Sequence, residues 1–425
     1  MIRADVARAF AVNSAFLALS FAVAVVLARA LGADGYGVYA FAWSLASLAA
    51  LPATAGLPML VLRETARGTA AGEHGTVRGA WRWAARAALV LSAAVVVVGA
   101  AVLLAVDRAP LGSQAATIAW ALALVPLLAF AALRGAALRG LQRLVAGQLP
   151  ESVVRPGVLL ALIAGAGAVE VTLTPARAMA LHVAAASVAF AAGAWLLARN
   201  TPPALRAAVP VMQGRSWLRA TGPLAMVAGM QLVMQHTDIV MLGVFVPTAE
   251  VGVYRVGSQL AVLAAFGLAA VNMVVGPRFA ALHAQDDRAA MQKLATSSAR
   301  FVFALAAIVT LALAIAGPPL LEIVFGASFG AAYLPLLILL AGQCVNASTG
   351  SVGYLLNMTG HEGDAAKGMA VAAVANVVLN LLLIPRWGMH GAAVATAVSV
   401  VAWNVLLWRA TRTRLGINSL AFRAP

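Results

Sequence analysis

The chain has 425 residues, of which 63% are hydrophobic and only 10% are charged, and its mean hydropathy is +0.93. A soluble domain would be about half apolar and a quarter charged, so this composition excludes one and indicates a polytopic membrane protein. The net charge of +15 would suggest a nucleic-acid partner in a soluble protein, whereas here it is expected to come from basic cytoplasmic loops. A single cysteine, Cys344, excludes an intrachain disulfide and a cysteine-based metal site.

Apolar runs of about 20 residues recur along the whole chain, and each is long enough for a bilayer core of about 30 Å. The first run, 10–28, lacks the cleavage pattern of a signal peptide and is expected to remain as a helix. Gly and Pro mark the ends of the runs, as at Gly32 and Pro385. We therefore predict an all-α polytopic membrane protein with twelve transmembrane helices, at 8–31, 36–62, 78–106, 114–138, 151–169, 176–198, 217–246, 251–278, 293–325, 331–358, 365–385 and 390–411.

The basic residues are distributed unevenly between the two sides of the membrane that this helix order defines. With the amino terminus inside, all but five of the 29 Lys and Arg residues fall in cytoplasmic segments. This asymmetry is typical of a correct span count and predicts that both termini are cytoplasmic. It also accounts for the positive charge, so no nucleic-acid partner is expected. The five basic residues predicted to lie outside are Arg29, Arg108, Arg177, Arg255 and Arg386.

The two halves of the chain contain an internal repeat. The segment 27–48, LARALGADGYGVYAFAWSLASL, is similar to 241–263, MLGVFVPTAEVGVYRVGSQLAVL, and the tripeptide Gly37-Val38-Tyr39 matches Gly252-Val253-Tyr254. An even number of helices per half gives both copies the same orientation, which predicts two six-helix lobes related by a pseudo-two-fold axis along the membrane normal. The predicted amino-terminal lobe is 1–198, the cytoplasmic linker is 199–216 and the carboxy-terminal lobe is 217–425.

The seventh predicted helix is unusually polar near its middle. Asp238 is the only acidic residue predicted to lie deep inside a membrane helix, where a charged group costs about 2.5–3.5 kcal/mol on insertion scales. Gln231, Gln235 and Asp238 share one helix face, whereas His236 lies on another. These side chains could line a cavity, and Asp238 could carry a proton or a sodium ion. The alternative is a structural hydrogen bond or ion pair with a neighbouring helix.

The segments DIVMLGVFVPTAEVGVYRVGSQLA, YLLNMTGHEG and NVVLNLLLIPRWGMHGAAVATAVSVVAWN resemble the polysaccharide-transport family, the Wzx-type O-antigen flippases. This family belongs to the multidrug/oligosaccharidyl-lipid/polysaccharide exporter superfamily, and the resemblance extends from about residue 8 to 411. It implies a flippase that moves an undecaprenyl-pyrophosphate-linked oligosaccharide of O-antigen, exopolysaccharide or capsule across the inner membrane by alternating access. It also implies membrane lipids and other polysaccharide-assembly proteins as partners of a monomeric transporter.

A diphosphate suits arginine, because the planar guanidinium group donates two hydrogen bonds at once. Arg29, in LARALG, resembles an arginine of the related lipid II flippases, and Arg63 falls near a second one. The acidic residue that those relatives place after the first turn is absent, since Gly35 stands at that position. The alternative for each arginine is interfacial snorkelling. The predicted substrate-binding residues are Arg29, Arg63, Arg255, Gln231 and Gln235, and the predicted coupling residue for Na⁺ or H⁺ is Asp238.

Two rival functions remain. A cation-coupled multidrug antiporter of the same superfamily would favour an acidic cavity. A membrane-embedded polysaccharide transferase or ligase would need a catalytic pair or a metal site, and neither a catalytic residue nor a metal site nor another cofactor is predicted. The acidic residues of the loops are expected to form solvated pairs with arginine or lysine, namely Glu64, Glu73, Asp286, Asp287, Glu362 and Asp364.

Overall fold

The structure is a computed structural model that describes residues 2–54, 56–106 and 112–422; the predicted loop residue Arg108 and the terminal Arg423 lie outside these ranges. Every regular element within them is helical. The helices are α1 (Ile2–Ala49), α2 (Leu51–Thr54), α3 (Leu57–Ala70), α4 (His74–Val106), α5 (Gly112–Gly140), α6 (Leu144–Leu149), α7 (Arg155–Ala168), α8 (Pro175–Asn200), α9 (Pro203–Ala207), α10 (Gly214–Phe245), α11 (Thr248–Ala284), α12 (Arg288–Phe325), α13 (Tyr333–Thr349), α14 (Val352–Met358) and α15 (Glu362–Leu415). A π-helical turn, Pro150–Val154, joins α6 to α7, and a 3₁₀ turn, Ala327–Ala332, precedes α13.

Nine helical segments within the described residues are long and apolar enough to cross a membrane, so the chain is a multi-span, all-helical membrane protein. Two of the nine run through a sharp bend at a glycine, at Gly32 (φ 69°) in α1 and at Gly388 (φ 52°) in α15. Both conformations lie in the left-handed region that glycine adopts without a steric penalty. After the second bend, the Glu250 carboxylate accepts a hydrogen bond from the Met389 backbone N–H at 3.2 Å. Each bend separates two of the helices predicted from the sequence.

Two predicted helices are wrong in their continuity. The predicted helix 36–62 is interrupted: α1 ends at Ala49, the single turn of α2 spans Leu51–Thr54, and α3 begins at Leu57, with Pro52 and Gly56 (φ 81°) between the two long helices. The predicted helix 331–358 is interrupted at Gly350 (φ 69°) between α13 and α14. In contrast, α12 continues without a break through Pro318 and Pro319. In a membrane helix, neighbouring groups can satisfy the backbone that a proline frees, so proline alone does not decide where a helix ends.

The chain forms two compact units. The first unit comprises Met1–Leu31 and Val38–His236, and the second unit comprises Gly32–Gly37 and Thr237–Pro425. The predicted boundaries of the lobes and the linker stay a prediction.

In the first unit, small residues allow close packing of α3, α4 and α5 around a core that includes Ala84, Ala129 and Ala136. The segment before α10 lies along the start of α4. There, Val211 N–H donates to the Gly75 carbonyl at 2.9 Å, and Arg78 donates to the carbonyl of Ala208 at 2.9 Å.

In the second unit, the chain after α15 folds back over the break in the α13–α14 helix. The Ala421 N–H donates to the Ser348 carbonyl at 2.9 Å, and the Ser419 hydroxyl donates to the Thr349 carbonyl at 2.8 Å. Carbonyls at the end of a helix have no partner within the helix, so this segment satisfies groups that the interruption at Gly350 leaves open.

The matched glycines of the internal repeat pack against each other in the second unit. A Cβ atom on Gly37 would overlap the Thr248 carbonyl oxygen, and a Cβ atom on Gly252 would overlap the Ala33 carbonyl oxygen. Ala33 and Thr248 are separated by the same offset as the two glycines, so the contact is reciprocal. The Thr248 hydroxyl also donates to the Asp34 carboxylate. The residues conserved between the two repeat copies are therefore those that allow this close backbone approach.

Candidate functional site

Asp238 is buried in α10 and bonded to α11. Its side chain is 6% exposed, and its Oδ2 accepts a hydrogen bond from the Tyr254 hydroxyl at 2.7 Å. Its Oδ1 accepts the backbone N–H of Ile239 at 2.8 Å. Tyr254 is fully buried and is the tyrosine of the second repeat copy. The carboxylate is thus held in a fixed orientation within the second unit.

A chain of polar side chains continues from Tyr254 into α15. The Thr396 hydroxyl hydrogen-bonds the Tyr254 hydroxyl, and the amide of Asn376 lies 3.5 Å from Thr396 Oγ1. Asn380 donates to Asn376 Oδ1 at 3.1 Å. Both asparagines are buried, and Asn380 Oδ1 has no hydrogen-bond partner among the described residues. A buried acceptor without a donor is unfavourable, so the hydrogen bonding at this end of the network is incomplete.

Arg255 is the second predicted site residue in this region. It donates a hydrogen bond to the Tyr36 hydroxyl and interacts electrostatically with Asp238. Tyr36 itself is buried and packs edge-on against Phe329, with ring centroids 6.3 Å apart. The structure therefore brings Asp238 and Arg255 together, on the neighbouring helices α10 and α11.

The predicted site residues of the first unit are more exposed than Asp238. Gln231 and Gln235 are exposed on α10, and Arg29 is exposed just before the bend at Gly32. His236 Nδ1 lies 3.4 Å from the buried Ser44 hydroxyl.

Arg63 is engaged with a buried acid. The guanidinium donates to Glu64 Oε1 at 3.0 and 3.2 Å, and Arg67 donates to Glu64 Oε2 at 2.8 Å. The Glu64 side chain is 2% exposed, whereas those of Arg63 and Arg67 are 50% and 58% exposed. The expectation of a solvated pair is therefore wrong for Glu64, because the carboxylate is buried between the helices while both guanidinium groups reach solvent.

The sequence reasoning missed a group of charges on helices α5 to α7. The fifth membrane helix was predicted to begin at 151, but the candidate span runs from Leu144 to Ala168, so Glu151 and Arg155 lie inside it. Glu151 is therefore an acidic residue within a candidate span, whereas the sequence pattern placed it at a helix end. The largely apolar run LVAGQL before Pro150 indicates that the helix begins earlier, at Leu144. The prediction missed this because it took the proline as the start of the helix.

Glu151 connects two arginines. Its carboxylate lies 3.6 Å from Arg134 and 3.4 Å from Arg155. Arg134 also donates to the Phe190 carbonyl at 2.7 Å and lies over the Phe190 ring, 4.8 Å from its centroid. Gly193 makes room for it, since a Cβ atom there would overlap the guanidinium. A largely apolar cavity of about 400 Å³, which Arg134 helps to line, lies among α3, α4, α5 and α8.

An aromatic stack accompanies Arg155. The guanidinium lies over Trp43 at 5.2 Å, and Trp43 stacks on His182 with ring centroids 4.6 Å apart and an angle of 14°. The Tyr39 hydroxyl is 2.6 Å from His182 Nδ1. Tyr39 is the tyrosine of the first repeat copy, so the two matched tyrosines bond to different partners: His182 here and Asp238 in the second unit.

Comparison with known proteins identifies the relatives of the chain. The sequence model of the family described as polysaccharide biosynthesis protein matches residues 3–283. A protein of Haloferax volcanii, described as the probable low-salt glycan biosynthesis flippase Agl15, is 25% identical over 169 residues, which are 40% of this chain. The match covers little more than a third of that relative, 36% of its length.

Three solved structures share the fold. An inward-facing multidrug resistance MATE transporter has a TM-score of 0.76 at 12% identity, with 94% of each chain covered. The lipid II flippase MurJ has a TM-score of 0.75 at 9% identity, covering 95% of this chain and 87% of that one. A MOP superfamily transporter from Pyrococcus furiosus has a TM-score of 0.66 at 11% identity, covering 97% and 95%. The chain therefore shares the fold of these transporters, and, by the match over most of its length, it belongs to the polysaccharide biosynthesis protein family.

Proposed function

We propose that this protein is a flippase that moves an undecaprenyl-diphosphate-linked oligosaccharide from the cytoplasmic to the outer leaflet of the inner membrane. The observation that carries the proposal is the family match over residues 3–283 in a chain that has the fold of the lipid II flippase. The similarity to a probable glycan biosynthesis flippase supports the same substrate class. A sugar unit of O-antigen, exopolysaccharide or capsule fits this class equally well.

The proposed architecture is twelve membrane helices in two six-helix lobes related by a pseudo-two-fold axis, with both termini cytoplasmic. The described residues contain nine candidate spans, and the two that bend at a glycine count as two helices each. With α10, Gly214–Phe245, the total is twelve helices. The reciprocal contact of Gly37 and Gly252 supports the symmetry, because two matched residues contact each other in this way when they lie beside a two-fold axis. We propose that the protein works as a monomer that alternates between inward-open and outward-open states, as transporters built from two repeats do.

The chemistry of the substrate explains why ionisable side chains lie inside the spans. The sugar and the diphosphate cannot cross hydrocarbon, whereas the lipid tail can stay in the bilayer. Ionisable residues within membrane helices are costly and mark substrate or ion pathways. We propose that Arg29, Arg63, Arg255, Gln231 and Gln235 contact the head group. In this proposal the two glutamines bind sugar hydroxyls and the arginines bind the diphosphate.

Asp238 is the proposed coupling residue for Na⁺ or H⁺. A chain of polar side chains runs from its carboxylate through Tyr254 and Thr396 to Asn376 and Asn380, whose Oδ1 has no partner in the part of the chain that the structure describes. Carboxylate, hydroxyl and amide oxygens are the ligands that hard cations prefer, and a carboxylate also takes a proton. This network supplies oxygen ligands and also contains an open acceptor.

A deletion strain tests the proposal. Deletion should cause undecaprenyl-diphosphate glycan to accumulate on the cytoplasmic face and surface glycan to disappear, and expression of the wild-type chain should reverse both changes. Normal surface glycan in a strain without a functional paralogue would refute it. The rival function, cation-coupled drug export, predicts instead that the deletion strain becomes sensitive to organic cations while its surface glycan stays normal.

A further inference from the structure

We propose that Arg155 binds a phosphate group of the transported lipid-linked sugar, with Trp43 and His182 as the platform that positions it; this inference rests on the proposed function. Neither the family match nor the sequence reasoning singles out these residues. All of them belong to the first unit, and Arg155 lies well inside the candidate span Leu144–Ala168.

The first argument is charge balance. The cluster contains two guanidinium groups, of Arg134 and Arg155, and one carboxylate, of Glu151. The side chains of Arg134 and Arg155 are only 6% and 16% exposed. A buried charge without a counter-charge is strongly unfavourable in a membrane span. The cluster therefore needs one further negative charge, which a phosphate group supplies.

The second argument is an open donor. A guanidinium has five N–H donors, and the Nη1 atom of Arg155 is buried without a hydrogen-bond partner among the described residues. The Nε atom lies 3.4 Å from Glu151, which is long for a charge-assisted hydrogen bond of about 2.7–2.9 Å. Arg155 is thus oriented by Glu151 but incompletely satisfied by it. A phosphate oxygen is the acceptor that this geometry lacks.

The third argument is preorganisation. The guanidinium carbon of Arg155 lies over the Trp43 ring, Trp43 stacks on His182, and the Tyr39 hydroxyl lies 2.6 Å from His182 Nδ1. Three elements, α1, α7 and α8, thereby hold one arginine side chain in place. An arginine that serves as a lipid-facing anchor would instead extend along apolar surface towards the headgroups. Holding the fork rigid reduces the entropy lost when it binds a ligand.

Glu151 competes with the proposed phosphate ligand for Arg155. Its carboxylate lies in the π-helical turn Pro150–Val154 and is shared between two arginines at long distances. π-Helical turns within α-helices occur frequently at functional sites. Because the carboxylate and the phosphate would contact the same arginine, removing the negative charge of Glu151 should strengthen phosphate binding.

The test uses the purified full-length protein in lipid nanodiscs and measures binding of undecaprenyl diphosphate, with undecaprenol as the probe that lacks phosphate. The variant Arg155→Gln should bind undecaprenyl diphosphate about 10- to 100-fold more weakly, as expected for the loss of a charged hydrogen-bond partner. Glu151→Gln should bind it more tightly than the wild type. Arg177→Gln is the matched control, because Arg177 is exposed and donates to the Thr172 carbonyl.

The opposite changes in affinity of Arg155→Gln and Glu151→Gln distinguish a binding site from a structural ion pair. A structural ion pair predicts that both variants lose stability and that neither gains affinity. If Arg155→Gln fails to fold, Arg155→Lys together with the Glu151→Gln result decides the question. Lysine keeps the charge without the fork and should bind more weakly than arginine. Equal affinity of Arg155→Lys and the wild type, unchanged or reduced affinity in Glu151→Gln, or Arg155-dependent binding of phosphatidylglycerol alone would overturn the inference. These results leave the proposed function intact, which fails instead if the deletion strain exports glycan normally.

Discussion

The reciprocal glycine contact yields the sharpest prediction about stability. Replacing Gly252 with alanine should destabilise the protein, because the new methyl group would lie 2.9 Å from the Gly37 backbone nitrogen and closer still to the Ala33 carbonyl oxygen. The reciprocal Gly37→Ala methyl would lie 3.0 Å from the Gly252 nitrogen and 2.7 Å from the Thr248 carbonyl carbon. All of these neighbours are backbone atoms, so no side chain can rotate away.

The magnitude follows from the geometry. Carbon atoms in contact prefer separations of about 3.5–4.0 Å, so the two segments would have to move apart by about 1 Å. Overpacking of this kind costs about 1–3 kcal/mol. Alanine regains about 0.5–1 kcal/mol relative to glycine within a helix. Because the neighbours are backbone atoms, the upper end of the overpacking cost applies, and the expected net loss is about 2 kcal/mol for each single variant. The double variant should lose less than the sum, since both methyl groups widen the same contact.

The assay is the apparent melting temperature of the purified protein in one detergent, followed by intrinsic tryptophan fluorescence. Gly165→Ala is the matched control, because a Cβ atom there meets nothing within 4 Å and the residue lies in the helix α7. That variant should melt at or above the wild-type temperature. Wild-type melting of both Gly37→Ala and Gly252→Ala, or fully additive losses in the double variant, would refute the reasoning.

Three further predictions concern single residues. Glu64→Gln should lower the free energy of unfolding by about 1–2 kcal/mol, since the buried carboxylate loses its charge-assisted bonds to Arg63 and Arg67; chemical denaturation measures this, and unchanged stability would contradict it. Gly388→Ala should cost about 1–2 kcal/mol and lower the melting temperature, because φ is +52° and the methyl group would lie 2.5 Å from Glu250; an unchanged melting temperature would contradict this prediction. Asp238→Asn should abolish complementation of the deletion strain at an unchanged protein level on immunoblots; full complementation would remove Asp238 as the coupling residue.

The sequence was sufficient for the features that follow from local patterns. Apolar runs of membrane-spanning length predicted an all-helical multi-span protein, and the structure confirms this class. The family resemblance, which rested on segments such as DIVMLGVFVPTAEVGVYRVGSQLA, is confirmed by the match over 3–283. The repeated tripeptide at Gly37 and Gly252 was visible as a pattern. Its physical reason, a close backbone approach between the two copies, required the packed structure.

The sequence was insufficient where tertiary contacts decide. Pro150 is typical of a helix boundary in a soluble protein, but here the helix passes it through a π-helical turn and carries Glu151 and Arg155 into the span. The burial of the Glu64 carboxylate could likewise not be predicted, because it depends on tertiary packing, which the spacing of residues in the sequence does not determine. The partners of Tyr39 and Tyr254 are on other helices, and no local pattern distinguishes His182 from Asp238 as the partner.

The two matched tyrosines of the internal repeat have different partners in the two units. In the first unit, Tyr39 bonds to His182 beside a cluster with a surplus of positive charge, whereas in the second unit Tyr254 bonds to the carboxylate of Asp238. Under the proposed function, the phosphate site at Arg155 lies in the first unit and the cation site at Asp238 lies in the second unit, where Arg255, a proposed head-group residue, interacts electrostatically with Asp238. Binding of one ligand can therefore influence the other through Arg255 and through its preference among the conformations of the protein. Coupling of this kind predicts that Asp238→Asn leaves the affinity for undecaprenyl diphosphate measurable while it abolishes transport, and that Arg155→Gln weakens that affinity without affecting the bonds around Asp238.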